Sequence, residues 1–456
     1  MPIDVDTGPS RRVRSVPVRR ALPRLVRDPV SALAEFAREA GGEVVRLHLG
    51  PFRPYLVTHP DHVQQVLRTE WTNYQRQGVF WKPLGRMLGS SILGEGEPWK
   101  SSRKALQPLF TSRYVAEIAG EMAATINERV GELAGYARGG RPIDAAREMK
   151  DIVNQAVVRV LFGDKISRED GERLAPAYDT AAGSIGLRLL MPFVPYSVRV
   201  PGDRAFMEAV RTVDDVVFPL IREARADPGD GTDVISALCR DRGKEVDDRQ
   251  IRDDLVSVYG AASETTAMTL TWLWPLLDAH PEVAAKLRRE IEDVVGAGPV
   301  APAHVPGLGY TRMVLQELMR LYPAGWIFPR MAMEDGVIGG VRIRAGSQLL
   351  ITPYATHRLD GFWERPLEFD PDRFLPGKQE RRHRYAYFPF GGGPHQCLGQ
   401  HLFYVEAPLL VAAVLSRFRT AVRSPGPFTP ARSASLRPEQ KIELDLTEVV
   451  PVRRAS

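Results

Sequence analysis

Cysteine is scarce in this chain, because only Cys239 and Cys397 occur among its 456 residues. Two thiols cannot provide the disulfide framework that stabilises many small secreted domains, nor the four ligands of an iron–sulfur cluster. The sequence therefore predicts a protein of a reducing cytoplasm with no iron–sulfur domain attached.

Long hydrophobic runs are also absent. The longest apolar stretches, such as residues 270–277, are far shorter than the ~20 residues that cross a bilayer as a helix. Arg11 and Arg12 suggest a twin-arginine export signal, but the segment that follows, 16–28, contains four more arginines where such a signal needs an apolar run. We therefore expect neither an export signal nor a membrane anchor, and a soluble protein.

No Ser/Gly linker, low-complexity segment or internal repeat divides the chain. Its length alone suggests two or three domains, whereas the missing boundary favours one large unit. The predicted domain spans residues 28–448. An arginine-rich leader at 1–27, expected to be partly disordered, precedes it, and a short tail at 449–456 follows it.

The net charge is +5 and the isoelectric point is near 9.2. Arginines and acidic residues are interspersed along the chain, and no compact basic cluster with interleaved aromatic residues stands out. This distribution argues against nucleic-acid binding. A basic surface that receives an acidic electron carrier fits the composition better.

Hydrophobic periodicity predicts a mainly α-helical fold with a small β region. A strand pair is expected at 44–49 and 54–58, joined by Gly50 and Pro51, and two later strands at 337–343 and 349–352. The clearest helical segments are 60–67, 99–110, 115–136, 149–162, 205–226, 233–239, 248–279 and 311–322.

The most informative motif is FGGGPHQCLG at residues 390–399, which places Cys397 after a glycine-rich turn and before an apolar helix. The three glycines let the backbone approach the sulfur closely, and the following helix N-terminus stabilises a negative charge there. Cys397 is therefore a candidate metal ligand, with Phe390 beside it. The alternative is a small buried cysteine in a glycine-rich loop.

The motif resembles the cysteine-ligand loop of the cytochrome P450 superfamily, F-x-x-G-x-x-x-C-x-G, which Phe390, Gly393, Cys397 and Gly399 match. The resemblance implies the cytochrome P450 fold, a single large haem-binding domain, and haem b with Cys397 as its axial thiolate ligand and Phe390 covering the ring on the same side. A thiolate-held haem favours O–O bond cleavage, so the implied chemistry is oxygen activation.

A second stretch, residues 261–266 (AASETT), resembles the family's [A/G]-G-x-[D/E]-T-[T/S] segment on the oxygen-binding face of the haem. The resemblance implies Thr265 as the hydroxyl and Glu264 as the acid that deliver protons through water. Ala262 departs from the family, which usually has glycine there. Pro275 is expected to kink or end the helix about three turns later. The alternative is a surface glutamate beside a threonine.

Further family positions suggest a structural network. Glu317 and Arg320 match an E-x-x-R pair, which in the family joins an arginine of an F-x-P-x-R-F segment, here Arg373. A lone i, i+3 ion pair on a helix means little. Together, the three residues predict a buried network that holds the β region and the ligand loop in register, with no catalytic role.

The resemblance also supplies candidates for the haem and substrate sites. Trp99, Arg103, Arg330 and His395 occupy positions that hold haem in the family, with His395 in place of the more common arginine. The predicted substrate pocket consists of Phe80, Leu84, Met87, Ala261, Ala262, Trp326, Ile327 and Leu436. These residues are apolar, which indicates a lipophilic substrate, although ordinary core packing explains such residues equally well.

The implied activity is monooxygenation: hydroxylation or epoxidation of a terpenoid, fatty acyl chain or polyketide-like molecule in bacterial secondary metabolism. O2 and two NAD(P)H-derived electrons from ferredoxin and ferredoxin reductase would be consumed. The arginines of the leader and Arg381, Arg382 and Arg384 are expected to face the acidic ferredoxin.

Other functions remain open at this point. A peroxygenase would use H2O2 and typically lacks the acid–threonine pair. Some family members perform phenol coupling or dehydration, and a non-enzymatic haem sensor would need neither a proton relay nor a large apolar pocket.

Overall fold

The structure is a computed structural model that describes residues 12–81, 85–86, 88–89, 91–184, 194, 197–242, 246–378, 380–431 and 435–449. Its α-helices are α1 (Val18–Arg27), α2 (Pro29–Glu39), α3 (Pro60–Gln64), α4 (Gly96–Leu106), α5 (Ser112–Glu132), α6 (Ala134–Arg138), α7 (Ala145–Phe162), α8 (Arg168–Ser184), α9 (Asp203–Ala226), α10 (Val234–Arg242), α11 (Asp248–Ala279), α12 (Pro281–Val294), α13 (Gly309–Leu321), α14 (Pro353–Thr356) and α15 (Gln400–Arg417).

The strands are short, and most of them lie in the first quarter or the last third of the chain. They are β1 (Arg14–Val16), β2 (Val45–Leu47), β3 (Tyr55–Val57), β4 (Tyr74–Gln75), β5 (Ile143–Asp144), β6 (Phe328–Ala332), β7 (Gly336–Ile338), β8 (Val341–Ile343), β9 (Gln348–Ile351), β10 (Phe418–Val422) and β11 (Glu443–Glu448). The predicted mainly helical fold with a small β region is confirmed.

The contacts within the chain define two compact units. Unit 1 draws on Met1–Gly78, Met319–Cys397 and Arg432–Leu436, and unit 2 on Val79–Leu318, Leu398–Ala431 and Arg437–Ser456. Unit 1 contains a six-stranded sheet in the order β1-β2-β3-β9-β6-β4 and the β7–β8 hairpin. Its core is formed by alternate residues of these strands together with Tyr385 and Phe388, which precede the cysteine loop.

Local sequence explains how the elements of unit 1 begin. The Asp28 carboxylate caps α2 by accepting hydrogen bonds from the N–H groups of Val30 and Ser31 at 3.1 and 3.0 Å, and proline occupies the first helical position. The predicted leader contains structure: β1 pairs in parallel with β2, and α1 follows it.

Unit 2 is helical around α11, which is buried on most of its circumference, as expected of a central helix. Asp247 caps α11 by accepting a hydrogen bond from the N–H of Gln250 at 2.7 Å. The sequence prediction of a helix over 248–279 has the observed bounds. Pro275 does not end it, since the helix continues to Ala279.

Candidate active site

The Cys397 loop closes on itself within unit 1. The N–H of Cys397 donates to the carbonyl oxygen of Phe390 at 2.9 Å, and the N–H of Gln396 donates to that of Gly393 at 3.1 Å. The Cys397 side chain is exposed, whereas that of Cys239 is buried. The hydrogen bonds of this loop fix the backbone at Cys397, as a ligand position requires.

Gly393 allows the loop to lie against an earlier segment of the chain. Its φ is +67°, and a Cβ at this position would lie 1.9 Å from the backbone oxygen of Leu67. Leu67 belongs to a single π-helical turn, Gln65–Thr69, that follows α3. Only glycine satisfies both the backbone conformation and this approach.

A buried histidine that the sequence analysis missed connects this loop to Arg320. The N–H of Phe388 donates to Nε2 of His357 at 3.0 Å, and Nδ1 of His357 lies 3.2 Å from the carbonyl oxygen of Arg320. Because Nε2 accepts, the proton of the neutral ring is on Nδ1 and is donated to Arg320. Burial, followed by the charge of Arg320, lowers the pKa of His357 well below its usual value, which keeps the ring neutral.

Arg320 and Arg373 both donate hydrogen bonds to backbone carbonyl groups of unit 1. Arg320 donates to His357 at 2.9 Å and to Glu368 at 2.9 Å, and Arg373 donates to Glu368 at 3.5 Å. Both arginines are buried, as is Glu317 on α13. The two arginines thus tie the segment that precedes the cysteine loop to His357, which supports the hypothesis of a structural network.

The predicted haem-holding residues occupy both units. In unit 1, Arg330 is buried on β6, and the buried His395 ring makes an edge contact with Trp71 at 5.4 Å between centroids. In unit 2, Trp99 and Arg103 lie four residues apart on α4, hence on one face of the helix. These assignments stay predictions.

On α11, the hydroxyl groups near the predicted relay differ in environment. The Ser263 hydroxyl is buried and donates to the carbonyl oxygen of Tyr259 at 2.8 Å. Thr266 is buried and hydrogen-bonded to Glu406. Thr265 is partly exposed, and its hydroxyl donates to the carbonyl oxygen of Ala261 at 2.7 Å. Because Thr265 is partly exposed and its oxygen can accept a hydrogen bond from water, it suits the predicted role better than the two buried hydroxyl groups.

Glu264 lies beside a tyrosine from α8. A Cβ on Gly260 would lie 1.6 Å from the hydroxyl oxygen of Tyr178, so the end of the phenol ring occupies the space that this glycine leaves on α11. A helical side chain covers the turn before its own Cα, which directs Glu264 toward Gly260. Burial, and then the negative charge of Glu264, raise the pKa of the Tyr178 hydroxyl.

We expect Gly260→Ala to destabilise the protein by about 1–3 kcal/mol, because the added methyl group overlaps the Tyr178 ring. Gly120→Ala is the control, since Gly120 is exposed on α5 with nothing within 4 Å of its Cβ position, and alanine should stabilise that helix by about 0.5–1 kcal/mol. Thermal denaturation measures both. In a Tyr178→Ala background, Gly260→Ala should no longer destabilise the protein. An unchanged loss of stability in that background would mean that another contact is responsible.

Glu406 is a second residue that the sequence analysis missed. It lies on α15, is 2 % exposed, and its carboxyl group is hydrogen-bonded to Thr266. Burial raises the pKa of Glu406 to about 8, so the carboxyl group is protonated at neutral pH. It closes a small apolar pocket of unit 2 whose other lining residues are Phe110, Val157, Val160, Leu161, Val258, Ala262 and Leu402.

The raised pKa of Glu406 predicts a pH-dependent stability. Between about pH 4.5 and 8 the unfolded chain releases this proton and the folded chain keeps it, so the free energy of unfolding falls by about 1.4 kcal/mol per pH unit as the pH rises. Glu406→Gln should abolish this slope and be more stable than the parent at pH 8, with little difference below pH 4.5. Chemical denaturation across this range is the measurement, and Glu223→Gln, at an exposed position of α9, is the control. Parallel pH profiles of parent and Glu406→Gln would contradict the buried acid.

The structure describes most of the predicted substrate pocket, although Leu84 and Met87 lie outside the described residues. In unit 1, Trp326 and Leu436 are buried and Ile327 is half-buried. In unit 2, Phe80 is half-buried and Ala261 is exposed on α11. Of the set, Ala262 lines a pocket, the one that Glu406 closes.

A thiolate-bound haem fits the residues present. Cys397 supplies the soft sulfur ligand, and Arg330 and His395, both buried in the same unit, offer the basic groups that propionates require. Among the described residues, no helix has the length and apolarity to cross a membrane.

Comparisons with known proteins give a consistent result. The family model described as cytochrome P450 matches residues 14–446. A pentalenene oxygenase of Streptomyces avermitilis is 28% identical, covering 96% of this chain and 97% of its own. A cyclooctat-9-en-7-ol 5-monooxygenase of Streptomyces melanosporofaciens is 32% identical, covering 89% and 88%.

The fold is also shared with solved structures. The crystal structure of the haem domain of cytochrome P450DA superimposes with a TM-score of 0.86 at 23% identity, covering 98% of this chain and 99% of its own. The family match spans parts of both compact units, as predicted for a single haem-binding domain. The resemblance to the cytochrome P450 superfamily is therefore confirmed. This chain belongs to the cytochrome P450 family and is a monooxygenase of that family.

Proposed function

We propose that this cytochrome P450 hydroxylates or epoxidises a terpenoid, using O2 and two electrons from a ferredoxin and its reductase. The observation that carries the substrate class is the similarity to two Streptomyces enzymes named for pentalenene and cyclooctat-9-en-7-ol. The apolar character of Phe80, Trp326 and Ile327 supports it, since a lipophilic substrate needs apolar walls.

Cys397 would hold the iron of the haem, which supplies the chemistry of oxygen activation when bound. The chain's own contribution begins with the loop: the hydrogen bond from Cys397 to Phe390 and the glycine contact at Leu67 fix where the thiolate lies. Arg330 and His395 of unit 1 would bind the propionates.

Proton delivery would use Thr265 and Glu264. The Thr265 hydroxyl is held by its bond to Ala261 and can accept a hydrogen bond from water, which positions that water. Glu264 is half-buried one residue before it and can exchange protons with solvent. Neighbouring Ser263 and Thr266 are buried, whereas Thr265 is partly exposed and open to water.

Electron delivery would use exposed arginines before the cysteine loop. Arg381 and Arg384 are exposed and can meet an acidic ferredoxin. Arg382 differs, because its guanidinium stacks over Trp363 at 3.9 Å from the ring centroid. We therefore assign Arg382 to packing, and Arg381 and Arg384 to the encounter with the ferredoxin.

Thr265→Val tests the proposed relay. Valine keeps the shape and removes the hydroxyl, so haem binding and substrate affinity should stay close to the parent values. Product per NADPH should fall by about ten-fold or more, with H2O2 formed in its place. Thr269→Val is the control, because Thr269 lies one turn later on the same helix and its hydroxyl donates to the carbonyl oxygen of Thr265 at 2.9 Å. An unchanged ratio of peroxide to NADPH in Thr265→Val would assign proton delivery to another group.

The substrate class is tested by the spin state of the haem. Cyclic terpene hydrocarbons and their mono-alcohols should displace water from the iron and give a high-spin spectrum, and turnover with ferredoxin, its reductase and NADPH should give singly oxygenated products. Fatty acids of similar size are the comparison. A spin-state response to fatty acids and none to terpenes would overturn the terpenoid assignment and leave the monooxygenase assignment intact.

A further inference from the structure

Helix α1 exposes a row of large apolar side chains. Val18, Leu22 and Val26 follow one another at intervals of four residues, on one face of the helix, and are 44%, 48% and 57% exposed. Ala21, which is fully buried, and Leu25, which is half-buried, lie beside this row and pack α1 onto unit 1. The three exposed side chains therefore form an apolar row on the solvent side of α1, next to the residues that pack against unit 1.

The rest of α1 is basic. Every polar side chain of this helix is an arginine, and no acidic residue occurs between Asp6 and Asp28. At 100° per residue, Val18, Ala21, Leu22, Leu25 and Val26 cover an arc of about 140°, and the four arginines lie together with Pro23 on the opposite side. A cationic, strongly amphipathic helix with little overall hydrophobicity is the type that lies in the plane of a membrane interface.

Ion pairs hold part of the basic face of α1 against α2. Arg20 and Arg24 form ion pairs with Glu39 of α2, at 2.5 and 3.2 Å, and these pairs fasten the polar side of the helix to the protein. Arg19 and Arg27 are exposed. Arg19 follows the apolar row around the helix, at the level where lipid phosphates would lie if that row entered the acyl region.

We propose that α1 docks this protein onto the surface of an anionic lipid bilayer, with Val18, Leu22 and Val26 in the interface and Arg19 and Arg27 against lipid headgroups. The apolar row is only about 12 Å long, much smaller than a stable protein–protein interface requires. A bilayer needs no matching partner surface, and its negative charge complements the arginines. The protein would lie on the membrane without spanning it, and this inference is independent of the substrate.

The test is flotation of the full-length holoprotein with lipid vesicles. We expect flotation with vesicles of phosphatidylcholine containing about one third phosphatidylglycerol at low salt, and little with phosphatidylcholine alone. Leu22→Ser/Val26→Ser should weaken binding by about ten-fold or more. The matched control is Val337→Ser/Leu367→Ser, which changes two other exposed apolar residues of unit 1, 44% and 60% exposed, and should bind like the parent.

A charge variant provides a second measurement that does not alter the apolar row. Arg19→Gln should weaken binding to anionic vesicles and leave the thermal stability unchanged, because this side chain is exposed. The proposal is overturned if the parent does not float with anionic vesicles, or if Leu22→Ser/Val26→Ser floats like the parent. It is also overturned if that variant only slows reduction by ferredoxin or only abolishes self-association, since the row would then bind protein.

Discussion

Gly393→Ala should separate the cysteine loop from the backbone segment that it contacts. The free energy of unfolding should fall by about 3 kcal/mol or more, and bound haem should be lost. The φ of +67° alone costs a residue with a side chain about 1–2 kcal/mol. The methyl group would also lie 1.9 Å from the backbone oxygen of Leu67. Two backbone segments would have to separate to relieve that overlap, so both costs apply.

Gly391→Ala separates the two costs. Its φ is +70°, but its Cβ position is 3.8 Å from the Phe328 ring, an ordinary contact. This control should show the conformational cost alone and keep more haem than Gly393→Ala. Thermal denaturation and the haem-to-protein ratio measure the effects. Equal losses in the two variants would mean that the contact with Leu67 does not support the loop.

The sequence alone predicts an element correctly where the residues of that element specify its bounds. The bounds of α11 follow from the Asp247 cap and a long apolar pattern, and Pro275 did not stop it because its neighbours hold the helix through burial. The segment 337–343, predicted as one strand, is the β7–β8 hairpin. Gly339 and Gly340, at φ +56° and +76°, form its turn, a signal present in the sequence.

The residues that sequence analysis missed acquire their character from tertiary contacts. His357 is neutral and bridges Arg320 to Phe388 because the fold buries it, and nothing in its neighbours along the chain indicates this. Glu406 lies in the helix after the cysteine motif, where a charged side chain predicts an exposed face, yet it is buried and protonated. The cysteine motif, in contrast, could be recognised from the sequence, because its glycines and its cysteine lie close together in one short segment.

Cys397→Ser should abolish the activity and the thiolate character of the haem. Serine preserves the size and the hydrogen bond from the backbone N–H to Phe390, so the loop should fold and the loss should report the sulfur alone. Cys239→Ser is the matched control. The Cys239 thiol is buried, and burial raises its pKa, which keeps it from forming a thiolate. Oxygenation should survive in this control and fall below detection in Cys397→Ser.

The measurement that tests the central claim most directly is the absorption spectrum of the ferrous carbon monoxide complex of the parent, Cys397→Ser and Cys239→Ser proteins. The haem-thiolate assignment predicts the red-shifted Soret band in the parent and in Cys239→Ser, and its absence in Cys397→Ser. A red-shifted band that persists in Cys397→Ser, or one lost in Cys239→Ser, would contradict Cys397 as the iron ligand.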